Sequence, residues 1–137
     1  LGKDVHRHVW RIEETLIRTL ADFGVEGHRE PAYTGVWVDN AKIAAIGVRV
    51  ARWVSSHGFA LNVSTDLSYF DAIIPCGIAG RGVTSLSQLL RRTVGRAEVE
   101  DVLLRHFADV FEVEVGQVAG RHTLQARNPA AMASVSE

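Results

Sequence analysis

The sequence predicts an α/β (α+β) domain, a mixed β-sheet flanked by helices, and three observations predict it. The first twenty-odd residues repeat apolar side chains at helical spacing. From Tyr33 the pattern changes to alternation rich in aromatic and β-branched residues, broken by turn signals. A second helical pattern follows after Arg96. Strands framed by helices at this length fit one layered domain.

The first helix is predicted from about Asp4 to Phe23. Val5, Val9, Ile12, Leu16, Leu20 and Phe23 fall on one face, with spacings of three and four. Asp4 is the expected N-cap, and Gly24 stands where a left-handed residue closes a helix. His6 and His8 are expected in solvent. Pro31 marks a loop, after which Tyr33 to Val38 and Lys42 to Val50 form a hairpin around Asp39-Asn40. Alternation sets Lys42, Ala44, Ile46, Val48 and Val50 on one face and Ile43, Ala45, Gly47 and Arg49 on the other. Trp53 to Ser56 and Phe59 to Ser64 read as further strands, interrupted at His57-Gly58. Asp66 to Tyr69 reads as one helical turn, and Ile73-Ile74-Pro75-Cys76-Gly77 as an irregular loop. Thr84 to Arg92 is a short helix and Arg96 to Val113 a long one, with Glu98, Glu100 and Asp101 in its first turn. The domain is expected to span 1–115. From Gly116 the chain lacks periodicity, so 116–137 is expected to be a low-complexity C-terminal tail, mobile from Asn128 to Glu137.

Composition narrows the function. The chain has 137 residues, 47% of them hydrophobic, so it holds one domain with a real core. Fifteen basic and sixteen acidic residues leave a formal net charge of -1, which gives no overall attraction to nucleic acid. No apolar run approaches the roughly 20 residues that span a bilayer, and no secretory signal pattern opens the chain. Neither nucleic acid nor membrane is therefore an expected partner. The lone Cys76 cannot bridge within the chain, which suits a reducing, cytoplasmic compartment. The scattered histidines have no zinc-ligand spacing, and no metal site is expected. The first residue is Leu, so the natural polypeptide is expected to begin earlier.

Cys76 is the candidate for chemistry. Flanking Pro75 and Gly77 hold an open loop, a better place for an attacking thiol than a strand interior. A thiol with an ordinary pKa is only a few per cent thiolate at neutral pH, so it needs a base, a cation or a helix N-terminus. Lys42, His57 and the basic residues Arg81, Arg91 and Arg92 are candidates. Spacing in sequence does not choose among them.

Four blocks in order carry a resemblance. They are Thr34-Gly35-Val36-Trp37-Val38, Lys42-Ile43-Ala44-Ala45-Ile46-Gly47, His57-Gly58-Phe59-Ala60-Leu61-Asn62 and Pro75-Cys76-Gly77. Together they strongly resemble the lipoyl(octanoyl) transferase family of lipoate biosynthesis, and the resemblance extends from the first helix to about Leu86. The interval from Lys42 to Cys76 (76 minus 42, or 34 positions) fits the family as well.

The resemblance implies a fold similar to the catalytic domains of lipoate and biotin protein ligases. It implies transfer of an octanoyl group from acyl carrier protein to a lysine of a lipoyl domain, the first step of endogenous protein lipoylation. The acceptors it implies are the lipoyl domains of 2-oxoacid dehydrogenases and the glycine cleavage H protein. It implies that Cys76 carries the acyl group as a thioester and that Lys42 sits beside it and lowers its pKa. Ala45, Ile46 and Gly47, with His57, Gly58, Phe59, Ala60 and Asn62, make the substrate site. No cofactor is implied, because the donor is already activated. Arg49, Arg52, Arg81, Arg91 and Arg92 are candidates to dock acidic carrier domains. Family members also carry an earlier block rich in Arg, Gly and His that ends in Pro-Gly-Gln. It is absent here, so the chain resembles the C-terminal two-thirds of an enzyme. Its sheet is then incomplete, and 1–137 alone is expected to be inactive unless a partner supplies that wall. Competing readings are an ATP-dependent lipoate or biotin ligase, a transferase between two lipoyl domains, and a non-catalytic module that binds lipoyl domains.

Overall fold

The computed structural model describes residues 2–51, 54–64, 82–118 and 121–126. Helix α1 covers Gly2–Asp22, beginning two residues before the predicted cap at Asp4. Its apolar face is the predicted one: Val9, Ile12, Leu16 and Leu20 are buried. Thr15 and Thr19 are buried beside them, and each hydroxyl donates to the carbonyl four residues back, so neither is left unsatisfied. The helix ends at Gly24, whose φ is 77°. The Val25 N–H donates to Leu20 O, and the Gly24 N–H to Ala21 O. This is a Schellman closure, with Val25 and Leu20 joined in the core.

Strands β1 (His28–Glu30), β2 (Tyr33–Val38), β3 (Ala41–Ala51) and β4 (Val54–Leu61) form an antiparallel sheet in that order. The short β5 (Gly82–Val83) joins β3 in parallel at Ala41 and Lys42, which makes the sheet mixed as expected. Helices α2 (Leu86–Leu90) and α3 (Arg96–Phe111) follow. The Ser85 hydroxyl caps α2 by accepting from the Gln88 N–H, and Leu86 is fully buried. Helix α3 packs on α1, and α1 packs on the sheet.

Three expectations change. The sheet has a first strand, β1, that charged His28-Arg29-Glu30 did not signal. An edge strand tolerates such residues because only one side is paired. Strand β4 runs without a break through His57-Gly58, where an interruption was expected. Gly58 stands opposite Gly47, so the ladder closes without side chains there. Finally, β6 (Val113–Val118) pairs with β7 (Arg121–Ala126), so regular structure passes residue 115, where the domain was expected to end. Gly116, Gln117 and His122 dilute the apolar alternation that would announce the strands, and the ladder runs from Val113–Ala126 to Val118–Arg121. The predicted turn at Asp66–Tyr69 and the tail from Asn128 lie outside the described residues.

The seam between α1 and α3 is closed by Phe111, which is almost fully buried. Its ring lies 4.3 Å from that of Phe107 and 5.4 Å from that of His8, edge-on to the latter. Phe111→Ala is expected to cost about 3–5 kcal/mol of stability in denaturant unfolding. A loss below about 1 kcal/mol would mean the helices do not depend on this contact.

Candidate functional site

The two blocks expected to line a substrate are hydrogen-bonded neighbours. Ala45 faces Ala60, Ile46 faces Phe59, and Gly47 faces Gly58 in the β3–β4 ladder. Directly opposed residues of an antiparallel pair point to one face of the sheet. The pairs therefore split. Ala45, Ala60, Gly47 and Gly58 share one face, and Ile46 and Phe59 share the other.

Side-chain neighbours identify those faces. Val36 lies beside Leu20 of α1 at Gly27, and Ala44 stands directly opposite Val36. Ile46 lines a cavity of about 660 Å³ together with Val5, Val9 and Trp10 of α1. Ala44 and Ile46 thus face the helix. Ala45, Gly47, Gly58 and Ala60 face away from it and make a floor of the smallest side chains. Ala45, Gly47 and Ala60 are exposed, and nothing lies within 4 Å of a Cβ built on Gly47. A straight alkyl chain can lie along such a strip. His57 pairs with Val48 through the backbone; its side chain is outside the described residues.

Simple alternation puts Lys42 with Ala44 and Ile46, on the helix side. The register does not. Val36 pairs with Ala44, and Trp37, one step on, pairs with Lys42, two steps back. Ile43 is the extra residue of a β-bulge, and a bulge re-aims the side chains next to it. Lys42 therefore shares the face of Trp37, opposite to Val36 and common to the small-residue floor. Its Nζ lies 5.6 Å from the Trp37 ring centroid, and Trp37 is fully buried.

Lys42 is itself only 7% exposed. Lysine is almost never buried without a specific setting. Gly35 provides part of that setting. Its φ is 131°, and a Cβ placed there would stand 2.7 Å from Lys42 Cε and 2.6 Å from Ala44 O. The lysine stem occupies the space that a side chain at residue 35 would need. The Lys42 carbonyl accepts from the Thr84 N–H at 2.9 Å, so the residue is also fixed through its backbone.

Asn62 serves the scaffold. Its Nδ2 donates to Thr84 O at 3.2 Å, its N–H to Ile43 O at 2.9 Å, and its carbonyl accepts from the Leu86 N–H at 3.1 Å. These bonds join β3, β5 and α2 at the Lys42 end of the sheet. Cys76 and its loop lie outside the described residues. Of the basic docking candidates, Arg92 is exposed and paired with Glu98 at 3.0 Å, while Arg91 is exposed as the left-handed C-cap of α2.

Sequence reasoning passed over a buried carboxylate and its half-buried arginine partner. Glu13, 7% exposed, receives Arg29 Nε at 3.2 Å on one carboxylate oxygen and the Gly35 N–H at 3.2 Å on the other. Arg29 also donates to Glu14 at 3.0 Å and lies 4.4 Å above the Trp10 ring. Burial opposes the charge on Glu14, but the hydrogen bonds and charges of Arg18 and Arg29 outweigh it and hold its carboxyl below the usual range. The signal available in sequence was Glu13 directly beside Ile12, within the apolar stripe of α1. Among the described residues no cluster of three His, Cys, Asp or Glu suits a metal, and no helix is long and apolar enough to cross a membrane.

Residues 2–108 match the family profile of the lipoyl protein ligase A/B catalytic domain. An octanoyltransferase of Christiangramia forsetii is 48% identical over 118 residues, 82% of this chain and 50% of that protein. An octanoyltransferase of Rubrobacter xylanophilus is 53% identical over 110 residues, 80% of this chain and 50% of that protein. The chain spans about half the length of these curated relatives. Among solved structures, a T. acidophilum protein assigned as a lipoate protein ligase, with lipoic acid bound, superposes with a TM-score of 0.60. It is 17% identical, and the match covers 78% of this chain and 46% of that one, a likeness of fold.

Proposed function

The chain belongs to the lipoyl protein ligase A/B catalytic-domain family, and from that membership we propose that it carries the reactive part of an octanoyltransferase. The relatives named octanoyltransferase support the reaction class. The single observation that carries the reading on this chain is the burial of Lys42, turned by a bulge onto the face of the small-residue floor. In this reading octanoyl acyl carrier protein is the donor. The acceptors are lysines on lipoyl domains of 2-oxoacid dehydrogenases and on the glycine cleavage H protein. The lone cysteine suits a cytoplasmic setting.

The chemistry follows from the residue types. The Cys76 thiolate attacks the thioester carbonyl of the donor, the carrier thiolate leaves and takes up a proton, and the octanoyl group rests on sulfur. The ε-amine of the acceptor lysine then attacks that new thioester, an amide forms, and Cys76 leaves as thiolate. A covalent intermediate lets two carrier domains visit in turn. Lys42 as an ammonium stabilises each thiolate; as an amine it takes the proton from the acceptor lysine. The acyl chain lies over Ala45, Gly47, Gly58 and Ala60. Burying the six CH2 groups and terminal methyl of the octanoyl chain contributes on the order of 5 kcal/mol to binding. Chain connectivity favours the dyad. Gly82 and Val83 pair with Ala41 and Lys42, and Cys76 precedes Gly82 by six residues, so the backbone tether is at most about 20 Å.

The test is intact mass spectrometry of the complete polypeptide after incubation with octanoyl acyl carrier protein. A gain of one octanoyl group is expected, with none in Cys76→Ser. Full octanoylation of Cys76→Ser would remove the thioester mechanism.

A further inference from the structure

Among the described residues one acid and one base are buried, Glu13 and Lys42, and Gly35 stands between them. The Gly35 N–H donates to Glu13 Oε2 at 3.2 Å. On its other side, the space of its missing Cβ holds Lys42 Cε. We propose that Glu13 is a positioning residue for Lys42: its carboxylate fixes the Gly35 backbone and so holds open the seat of the lysine.

The arrangement has the parts such a role needs. A buried carboxylate is costly unless its oxygens are engaged. Here each oxygen is engaged by a different element, Arg29 from β1 and the Gly35 amide from β2. Arg29 is held in turn by Glu14, the Trp10 carbonyl and the Trp10 ring. The carboxylate is therefore anchored on the α1 side and grips β2 at the point where φ reaches 131°. That φ suits glycine alone, and the hydrogen bond selects among the conformations glycine could adopt. Were Gly35 to relax, the gap between it and β3 that receives the lysine stem would change first. Glu13 touches no reacting atom; it acts through Gly35 on Lys42. The proposal rests on the reading of Lys42 as the group that activates Cys76, but the seat itself can be measured without that reading.

The chain has two lysines, Lys3 and Lys42. In the complete polypeptide, brief acetic anhydride labelling followed by peptide mass spectrometry gives the reactivity of Lys42 relative to Lys3. Gly35→Ala provides the scale for an unseated lysine. Glu13→Gln keeps an oxygen for the Gly35 N–H and is expected to label within about twofold of wild type. Glu13→Met removes the acceptor and is expected to raise the ratio about tenfold. Where Glu13→Met does not fold, the double variant Glu13→Met/Arg29→Met leaves no unpaired buried charge and replaces it. Octanoyl transfer is measured on the same samples, with kcat expected to fall about tenfold and KM to stay within twofold. Wild-type labelling in the variants without the acceptor overturns the proposal, and so does a Glu13→Gln ratio equal to that of Gly35→Ala. Raised labelling with unchanged transfer supports the seat and instead removes Lys42 from the reaction.

Discussion

Lys42→Met is expected to lower octanoyl transfer about a thousandfold while still leaving a folded protein. The two halves of this expectation have one cause. Lys42 is 7% exposed, so its stem helps to fill the interior while its charge is held where water screens it little. Met keeps the stem that lies against Gly35 and beside Trp37. It loses the ammonium that would stabilise the Cys76 thiolate and the amine that would take the acceptor's proton. General acid–base help of this kind is worth about 10² to 10⁴ in rate. Single-turnover transfer in the complete polypeptide measures the first half, and denaturant unfolding the second. Lys42→Arg separates the two roles, since a guanidinium holds its charge but does not give up its proton at neutral pH. It is expected to preserve slow acylation of Cys76 and to lose the second step. A Lys42→Met variant that transfers octanoate at the parent rate would take the lysine out of the mechanism, whatever becomes of Cys76.

The sequence made much of this legible because two of its periodicities are strong. The spacing of Val9, Ile12, Leu16 and Leu20 announces α1, and Gly24 announces its end. Alternation around Asp39-Asn40 announces the β2–β3 hairpin. The four small residues of the floor were also visible, but only pairing register shows that they form one strip. What was not legible came from tertiary context. Alternation assigns Lys42 to the helix side, and nothing local marks Ile43 as the extra residue of a bulge. The register shift lies where β3 also takes up β5 at Ala41 and Lys42, a pairing with residues some forty positions on that no local pattern announces. Glu13 was illegible for a related reason. Its two partners lie 16 and 22 residues away in sequence, and no helical pattern reports what a neighbouring strand will offer a carboxylate.

Gly35→Ala is the second large effect, and its interest lies in how the damage divides. Holding alanine at a φ of 131° costs about 1–3 kcal/mol. The added Cβ meets two atoms of different character. Ala44 O at 2.6 Å belongs to the backbone of β3 and has no room to move without opening the ladder. Lys42 Cε at 2.7 Å is the far end of a flexible side chain and can leave. The variant is therefore expected to lose about 2–4 kcal/mol of stability and still fold, with the lysine displaced. Transfer per folded molecule should fall a hundredfold or more, because a misplaced activating group loses most of its effect. A double-mutant cycle isolates the part owed to the lysine. In a Lys42→Ala background the Cβ still meets Ala44 O but no longer the lysine stem, so Gly35→Ala should cost about 1 kcal/mol less than in the parent. Costs that add within about 0.3–0.5 kcal/mol would show that the two residues do not press on each other. A cycle with the expected coupling would tie the left-handed glycine of β2, and not merely the bulge of β3, to the seat of the Lys42 amine.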